Sequence, residues 1–240
     1  MPRPYLPNLP GPCALAATVL AALLPLRGPA TAAGTDITAA CPGVDLHVAG
    51  ASATEFELVC DGLRRAVGFF RRHAIPVEEA FRVRLTEGPM GAQGTHIGQY
   101  DTAADRIDLL TLARARELCA EQSPFRVPMD VALYTSFVAH EATHVVVERR
   151  GETGMVPLTQ EYLAYVVQLA TMDADLRQRI LDDYPMPGFA DTAEISWVYY
   201  GLDPAAFGVK SFRHFSALPD PAGFIADLLS GAVEPGGSWY

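Results

Sequence analysis

The segment between Pro128 and Gly151 is the feature that most restricts how this chain can fold. Asp130 follows the proline as a favourable N-cap, and glycine is the usual residue just after a helix end, so the segment predicts one long helix. Its apolar residues recur at helical spacing and cover a wide face. They are Val131, Tyr134, Phe137, Val138, Val145 and Val146. A helix with so wide an apolar face has to pack against other elements.

Two histidines lie on this predicted helix. His140 and His144 are four residues apart, so they share one face and can bind a single metal ion. Glu141 is close enough to reach a water on that ion without being a ligand. Zinc lowers the pKa of such a water to about 7, and a carboxylate can then take its proton. The pattern predicts a Zn²⁺ centre with Glu141 as the catalytic base; the alternative is a chance pair of histidines on a partly buried helix.

A third ligand is expected from another element, because three ligands in line along one helix cannot converge on one ion. A catalytic zinc site usually has three protein ligands and one open position. A second helix is predicted from about Thr159, after Pro157, to about Met172, with Glu161 in its first turn. A turn before Pro157 would bring this helix back beside the first. We therefore predict Glu161 as the third metal ligand; the alternative is a first-turn acid that interacts with the helix dipole.

The His-Glu-Ala-Thr-His sequence at 140–144, followed by Glu161, resembles the gluzincin metallopeptidases, the broad thermolysin-like clan. The likeness covers roughly residues 95–172, and only the motif residues are specific. It implies the zinc ligands and general base already named. It also implies a zincin-like fold, in which a small sheet precedes the motif helix and its edge strand receives an extended substrate. Thr95–Tyr100 and Arg106–Leu110 are the candidates for that edge.

The sequence departs from the pattern of thermolysin itself. Tyr165 stands four residues after Glu161, where thermolysin has an aspartate that orients a histidine, and the gap between motif and glutamate is slightly shorter. The metzincin pattern does not apply, because Val147 and Arg150 stand where it requires glycine and histidine. These departures affect the subfamily and the substrate that the resemblance implies more than they affect the predicted metal site.

Amide hydrolysis also needs a donor that stabilises the oxyanion formed on attack. The region after the second helix offers His214, Tyr199 and Tyr200 for this role. A lone histidine or tyrosine is more often a residue of the core or its rim, so the sequence does not choose among the three.

The first 33 residues have the pattern of a secretory signal peptide. Arg3 gives a positive start, an apolar run extends from Ala14 to Leu26, and small residues follow at 30–33. The run is shorter than the roughly 20 residues of a membrane span. We predict a mature protein that is secreted or periplasmic, with no stable membrane insertion; an uncleaved leader acting as an anchor is the alternative.

Three cysteines remain after the predicted leader: Cys41, Cys60 and Cys119. In an oxidising compartment Cys41 and Cys60 are the natural disulfide pair, because they are close in sequence and flank one short strand and a helix start. Three different single pairings are formally open, and Cys119 would stay outside this one. A lipid anchor on Cys41 is disfavoured, because the residues before it lack the usual aliphatic position.

The remaining chain predicts strands first and helices afterwards, an α+β arrangement. A helix is expected over Thr54–His73, with Thr54 and Glu57 as its capping box. Strands are predicted at Asp45–Ala49 and Phe81–Leu85, and helices at Leu112–Glu121, Leu176–Leu181 and Ala222–Leu229. Asp101–Asp105 should form a hairpin turn. We expect one domain over 34–240: a small antiparallel sheet and the motif helix over 34–151, and a mainly helical part over 152–240 that carries the third ligand.

The formal charge of -10, roughly -12 once the leader is removed, gives no electrostatic footprint for phosphate backbones. Nucleic acid is therefore not an expected partner, and a peptide or protein substrate is. The sequence predicts a zinc metallopeptidase. The alternatives are a metal-dependent hydrolase with another substrate, and a binding protein that keeps a zincin fold without turnover.

Overall fold

The computed structural model describes residues 40–150 and 156–236. The predicted signal peptide at 1–33 and the helix-ending Gly151 lie outside the described residues. The described part is α+β, as predicted, with four strands and eight α-helices. They are β1 (Asp45–Ala49), α1 (Ala53–Arg72), β2 (Ala80–Thr86), β3 (Gly98–Asp101), β4 (Arg106–Leu110), α2 (Leu112–Leu118), α3 (Val131–Arg150), α4 (Pro157–Thr171), α5 (Ala174–Asp183), α6 (Trp197–Leu202), α7 (Pro204–Ser216) and α8 (Pro221–Ser230).

The sheet is mixed, so the expectation of an antiparallel sheet is wrong. Its strand order is β1-β2-β4-β3, in which β1, β2 and β4 run parallel and β3 pairs antiparallel with β4. The reason is α1, which connects β1 to β2 as a crossover helix and returns the chain in the same direction. Of the two predicted edge candidates, β3 is an edge strand, whereas β4 lies inside the sheet between β2 and β3.

Helix α3 lies at the centre of the molecule, between α1, α4 and the sheet. All its residues from 133 to 147 are buried, so its burial extends beyond the predicted apolar face to the whole circumference. Close packing against α1 depends on Gly62, where an added Cβ would lie 2.5 Å from the Cβ of Val138. Asp130 caps the helix as predicted, accepting a hydrogen bond from the backbone of Leu133 (2.9 Å).

The C-terminal end of α3 is fastened to the β3–β4 hairpin. Arg149 Nη2 donates to Asp105 Oδ2 at 2.9 Å, and the Tyr100 hydroxyl donates to Asp105 Oδ1 at 2.8 Å. At the other end of the helix the Tyr134 hydroxyl donates to the Leu110 carbonyl of β4 (2.7 Å). Contacts at both ends fix α3 against the sheet.

The N-terminal part differs from expectation in one detail and agrees in another. The capping box of α1 is formed by Ser52 and Glu55, not by Thr54 and Glu57, because the helix begins at Ala53. The predicted disulfide between Cys41 and Cys60 is confirmed and ties the segment before β1 to α1. Cys119 is buried and is not part of a disulfide.

The C-terminal part is more helical than predicted. Helices α6 and α7 lie between the predicted elements Leu176–Leu181 and Ala222–Leu229, in a stretch for which no helix is predicted. Asp203 and Pro204 carry the start signal of α7: the aspartate accepts from the backbone of Ala206, and the proline fills the first helical position, where no N–H is needed. Within residues 40–150 and 156–236, no helix is long and apolar enough to cross a membrane.

Candidate metal centre

Three buried donors from α3 and α4 converge at one point. His140 Nε2 lies 3.7 Å from Glu161 Oε2, and His144 Nε2 lies 3.6 Å from Glu161 Oε1. One donor atom from each of the three residues lies within 4.8 Å of the others. Helix α4 begins at Pro157 rather than near Thr159, so Glu161 lies just beyond its first turn, facing the histidines. This group could bind a metal ion.

The chemistry of the donor set fits a small divalent cation. Tetrahedral zinc, with bonds of about 2.0–2.1 Å to nitrogen and oxygen, places neighbouring donors about 3.4 Å apart. The contacts of His140 and His144 end on different oxygens of Glu161, and each is within a few tenths of an ångström of that value. His140 is fully buried, and its Nε2 has no hydrogen-bond partner among the described residues. Buried polar atoms normally have a bonding partner, and a bound cation would provide one for this nitrogen.

Burial sets the protonation states of the centre. The pKa of His140 is held well below its usual value by burial and by the neighbouring His144. Burial lowers the pKa of His144 to about 4, against the opposing effect of a hydrogen bond to the Gln160 side chain, which favours the charged imidazole. Both imidazoles are therefore neutral at neutral pH, the form in which histidine binds metals. The pKa of Glu141 is raised well above its usual value, first by burial and then by Glu161.

Gln168 orients the first histidine. Its Oε1 lies 3.2 Å from His140 Nδ1, its Nε2 donates to Ser136 Oγ at 3.1 Å, and that hydroxyl donates to the Leu133 carbonyl at 2.6 Å. Such partners fix the ring and the tautomer of a ligand histidine. Sequence reasoning missed Gln168. The signal was its position seven residues after Glu161, two turns along the same face of α4.

Tyr165, four residues after Glu161, plays a packing role. The residue is fully buried, with its ring edge-on to His140 at a centroid distance of 4.9 Å. Phe125 and Phe207 pack on its other sides at 6.1 and 6.0 Å. The Gln168 amide and the Tyr165 ring together hold the His140 imidazole in place.

Glu141 faces the edge strand of the sheet. An added Cβ at Gly98 in β3 would lie 2.7 Å from Glu141 Cγ and 2.8 Å from Glu141 Oε1. Only glycine allows the strand backbone to approach this carboxylate so closely. Gly98 is the second site residue that the motif analysis missed.

The structure separates the three candidate oxyanion donors. Tyr200 is at the centre: it is buried, it hydrogen-bonds Glu161, and burial raises its pKa, as do Glu161 and Glu141. Tyr199 is 46% exposed and stacks edge-on with Phe189. His214 Nδ1 lies 2.6 Å from the Tyr162 hydroxyl, in the lining of a separate pocket beside α7.

Comparison with known families identifies a match. The model of a family of unknown function, DUF6639, matches residues 46–236, well over half of the chain. The chain belongs to the DUF6639 family. No curated protein and no solved structure matches it.

The stretch that matches DUF6639 contains the whole candidate metal centre. His140, Glu141, His144 and Glu161 lie inside it, as do the supporting Gly98 and Gln168. Cys60 of the disulfide is within the DUF6639 match and Cys41 precedes it.

Proposed function

We propose that this chain is an exported zinc metallopeptidase with its centre at His140, His144 and Glu161. The observation that carries the proposal is that these buried donors converge at separations suited to zinc while the Glu141 carboxylate lies beside them. Two histidines, one carboxylate ligand and a further carboxylate that is not a ligand are the parts of a hydrolytic zinc site.

The arrangement of the sheet supports a peptide as the substrate and a zincin-like fold. An antiparallel edge strand, β3, runs beside the motif helix and comes into contact with Glu141 at Gly98. An extended peptide can add to such an edge through main-chain hydrogen bonds. A peptide held on the outer side of β3 would have its backbone close to the Glu141 carboxylate.

The roles of the residues follow from their positions. His140, His144 and Glu161 would hold the ion, Gln168 and Tyr165 orient His140, and Glu141 takes a proton from the attacking water and passes it to the leaving amine. Zinc supplies Lewis-acid chemistry when bound, polarising a carbonyl and acidifying water. The Tyr200 hydroxyl is the donor best placed to meet the oxyanion, because it lies next to both glutamates.

Export is supported by the disulfide. Disulfides persist in oxidising compartments and are rare in the cytosol. The Cys41–Cys60 bond therefore agrees with the leader-like sequence at 1–33, and we propose a secreted or periplasmic location.

Elemental analysis together with a pair of variants tests the proposal. Purified protein should contain one zinc per chain, and Glu141→Gln should keep the zinc while losing peptide hydrolysis. Glu148→Gln is the matched control, since Glu148 is an exposed glutamate on the same helix and should retain both properties. A metal-free protein, or a Glu141→Gln variant as active as the parent, would contradict the proposal. Bound zinc without cleavage of a broad peptide library would indicate a binding protein. Cleavage of cell-wall fragments but not of casein would indicate a hydrolase with another substrate.

A further inference from the structure

A pocket of about 520 Å³ lies beside α7, and none of the candidate metal ligands lines it. Its walls include Phe189 and Tyr199, and its polar lining includes Glu194, Lys210, Arg213 and His214. A volume of this size suits a small organic molecule. Two of the residues first considered as oxyanion donors, Tyr199 and His214, belong to this pocket.

Lys210 is an unusual residue for this chain. The sequence has 18 basic residues, and Lys210 is its only lysine. Only 8% of the residue is exposed. Its Nζ donates to the carbonyls of Pro187 and Gly188 at 3.3 and 3.4 Å, and among the described residues it has no ion pair. Carbonyl groups carry no net charge, so the buried ammonium has no counter-ion within the described chain.

Arg213 adds a second cation to the same pocket. It lies three residues after Lys210, on the same face of α7. One of its terminal nitrogens donates to the Leu181 carbonyl at 3.0 Å, but its buried Nε has no hydrogen-bond partner among the described residues. Buried charges are normally paired, and an unpaired donor costs free energy. Two cations with unused donors in one pocket indicate a missing anionic partner.

The other polar groups of the pocket do not supply that anionic partner. Glu194 lines the pocket, but it is exposed, and its Oε2 accepts a hydrogen bond from the Ala190 backbone. Burial lowers the pKa of His214, against a weaker opposing effect of Asp191, so its imidazole contributes a neutral polar edge. Phe189 and Tyr199 rings lie 4.8 and 5.3 Å from Lys210 Nζ and provide apolar walls next to the charge.

We propose that this pocket binds a small organic carboxylate. The carboxylate would accept hydrogen bonds from Lys210 and Arg213, and an apolar body would pack against Phe189 and Tyr199. Charge-assisted hydrogen bonds from two cations account for the affinity, and the aromatic walls account for the preference for a carbon skeleton over a bare ion. The site is independent of the metal and of peptide hydrolysis.

Calorimetry with benzoate as the probe tests the proposal on the mature protein. We expect benzoate binding whose Kd rises at least tenfold in Lys210→Met and in Arg213→Gln. Arg179→Gln removes one positive charge from an exposed arginine of α5 and should leave the Kd unchanged. Two separate variants keep the test valid if one of them fails to fold, which thermal denaturation would reveal. Equal Kd values in the folded variants, or no benzoate binding to the parent, would overturn the proposal, and so would binding of inorganic phosphate without benzoate.

The single lysine permits a second measurement on the unmutated chain. Reductive methylation with ¹³C-formaldehyde keeps the positive charge and labels Lys210 and the chain's amino terminus alone. Benzoate should shift the Lys210 methyl resonance with the same Kd as in calorimetry. A benzoate titration that leaves this resonance unmoved would place the ligand elsewhere and overturn the assignment.

Discussion

Gln168 Oε1 lies 3.2 Å from His140 Nδ1, so a neutral amide on α4 orients a histidine of the candidate metal centre on α3. The amide is itself fixed by Ser136, one turn before His140 on the same helix. Orientation of the first ligand is therefore built into the packing of the two helices that carry the donor set.

Gln168→Ala should weaken zinc binding by roughly 10- to 100-fold, the usual cost of losing a group that orients a ligand histidine. Gln168→Glu keeps an acceptor at the same position and should retain most of the affinity. Competition against a zinc-chelating dye measures both. Equal affinities in the parent and the alanine variant would show that Gln168 has only a packing role.

Gly98→Ala should reduce peptide hydrolysis at least tenfold with little loss of zinc. The new methyl group would lie 2.7 Å from Glu141 Cγ, so either the carboxylate or the strand must move. A small misplacement of a catalytic group has a large effect on rate. Gly68→Ala is the control, because its added Cβ meets nothing closer than an Arg72 side-chain nitrogen at 3.4 Å and the change in a helix interior should stabilise the fold by about 0.5–1 kcal/mol. Rates are compared at equal zinc content; an unimpaired Gly98→Ala enzyme would remove Gly98 from the site.

Tyr200→Phe should lower kcat by roughly 100-fold, within the range seen on loss of an oxyanion donor, and should leave KM nearly unchanged. The variant removes the hydroxyl that hydrogen-bonds Glu161. Tyr199→Phe, the neighbouring change at an exposed ring, should retain parental kinetics. Steady-state assays and zinc analysis of both variants distinguish oxyanion stabilisation from metal retention. A Tyr200→Phe enzyme that binds less zinc but keeps the parental kcat per bound zinc would show that the hydroxyl serves to retain the metal.

The Asp105 carboxylate should make the free energy of unfolding depend on pH in the acidic range. The hydrogen bond from Arg149 holds the pKa of Asp105 below its usual value, against the opposing effect of burial. A carboxyl with a lowered folded-state pKa stabilises the fold above its unfolded pKa of about 4, and the contribution is lost as pH falls through the folded-state pKa.

Urea unfolding of the parent and of Asp105→Asn measures this effect. The stability difference between them should be largest near pH 6 and should shrink on acidification from pH 5 to pH 2. A parent–variant difference that stays constant across this range would contradict the prediction.

The grouping of His140, His144 and Glu161 was more predictable from sequence than the sheet beside it. His140 and His144 share a face because helix geometry is local, and the need for a third donor then directs attention to Glu161. Start signals at Asp130 and Pro157 gave the bounds of both helices to within two residues of the structure.

Other features depend on contacts that no local pattern encodes. The parallel pairing of β1 with β2 follows from the path of α1, which periodicity does not report. Gly98 acquires its importance only when β3 lies against α3, and Gln168 only when α4 packs beside it. Helices α6 and α7 were obscured by proline, glycine and aromatic residues, although the Asp203–Pro204 pair was a start signal within reach of sequence reasoning.

The consecutive order of α3 and α4 has a consequence for how the centre assembles. All three donors come from positions 140 to 161, so the chain between the last histidine and the glutamate is short and the entropy lost in closing it is small. A cation bound there would act as a cross-link between two sequential helices. The donor set depends directly only on the packing of α3 against α4, because no strand of the sheet contributes a donor.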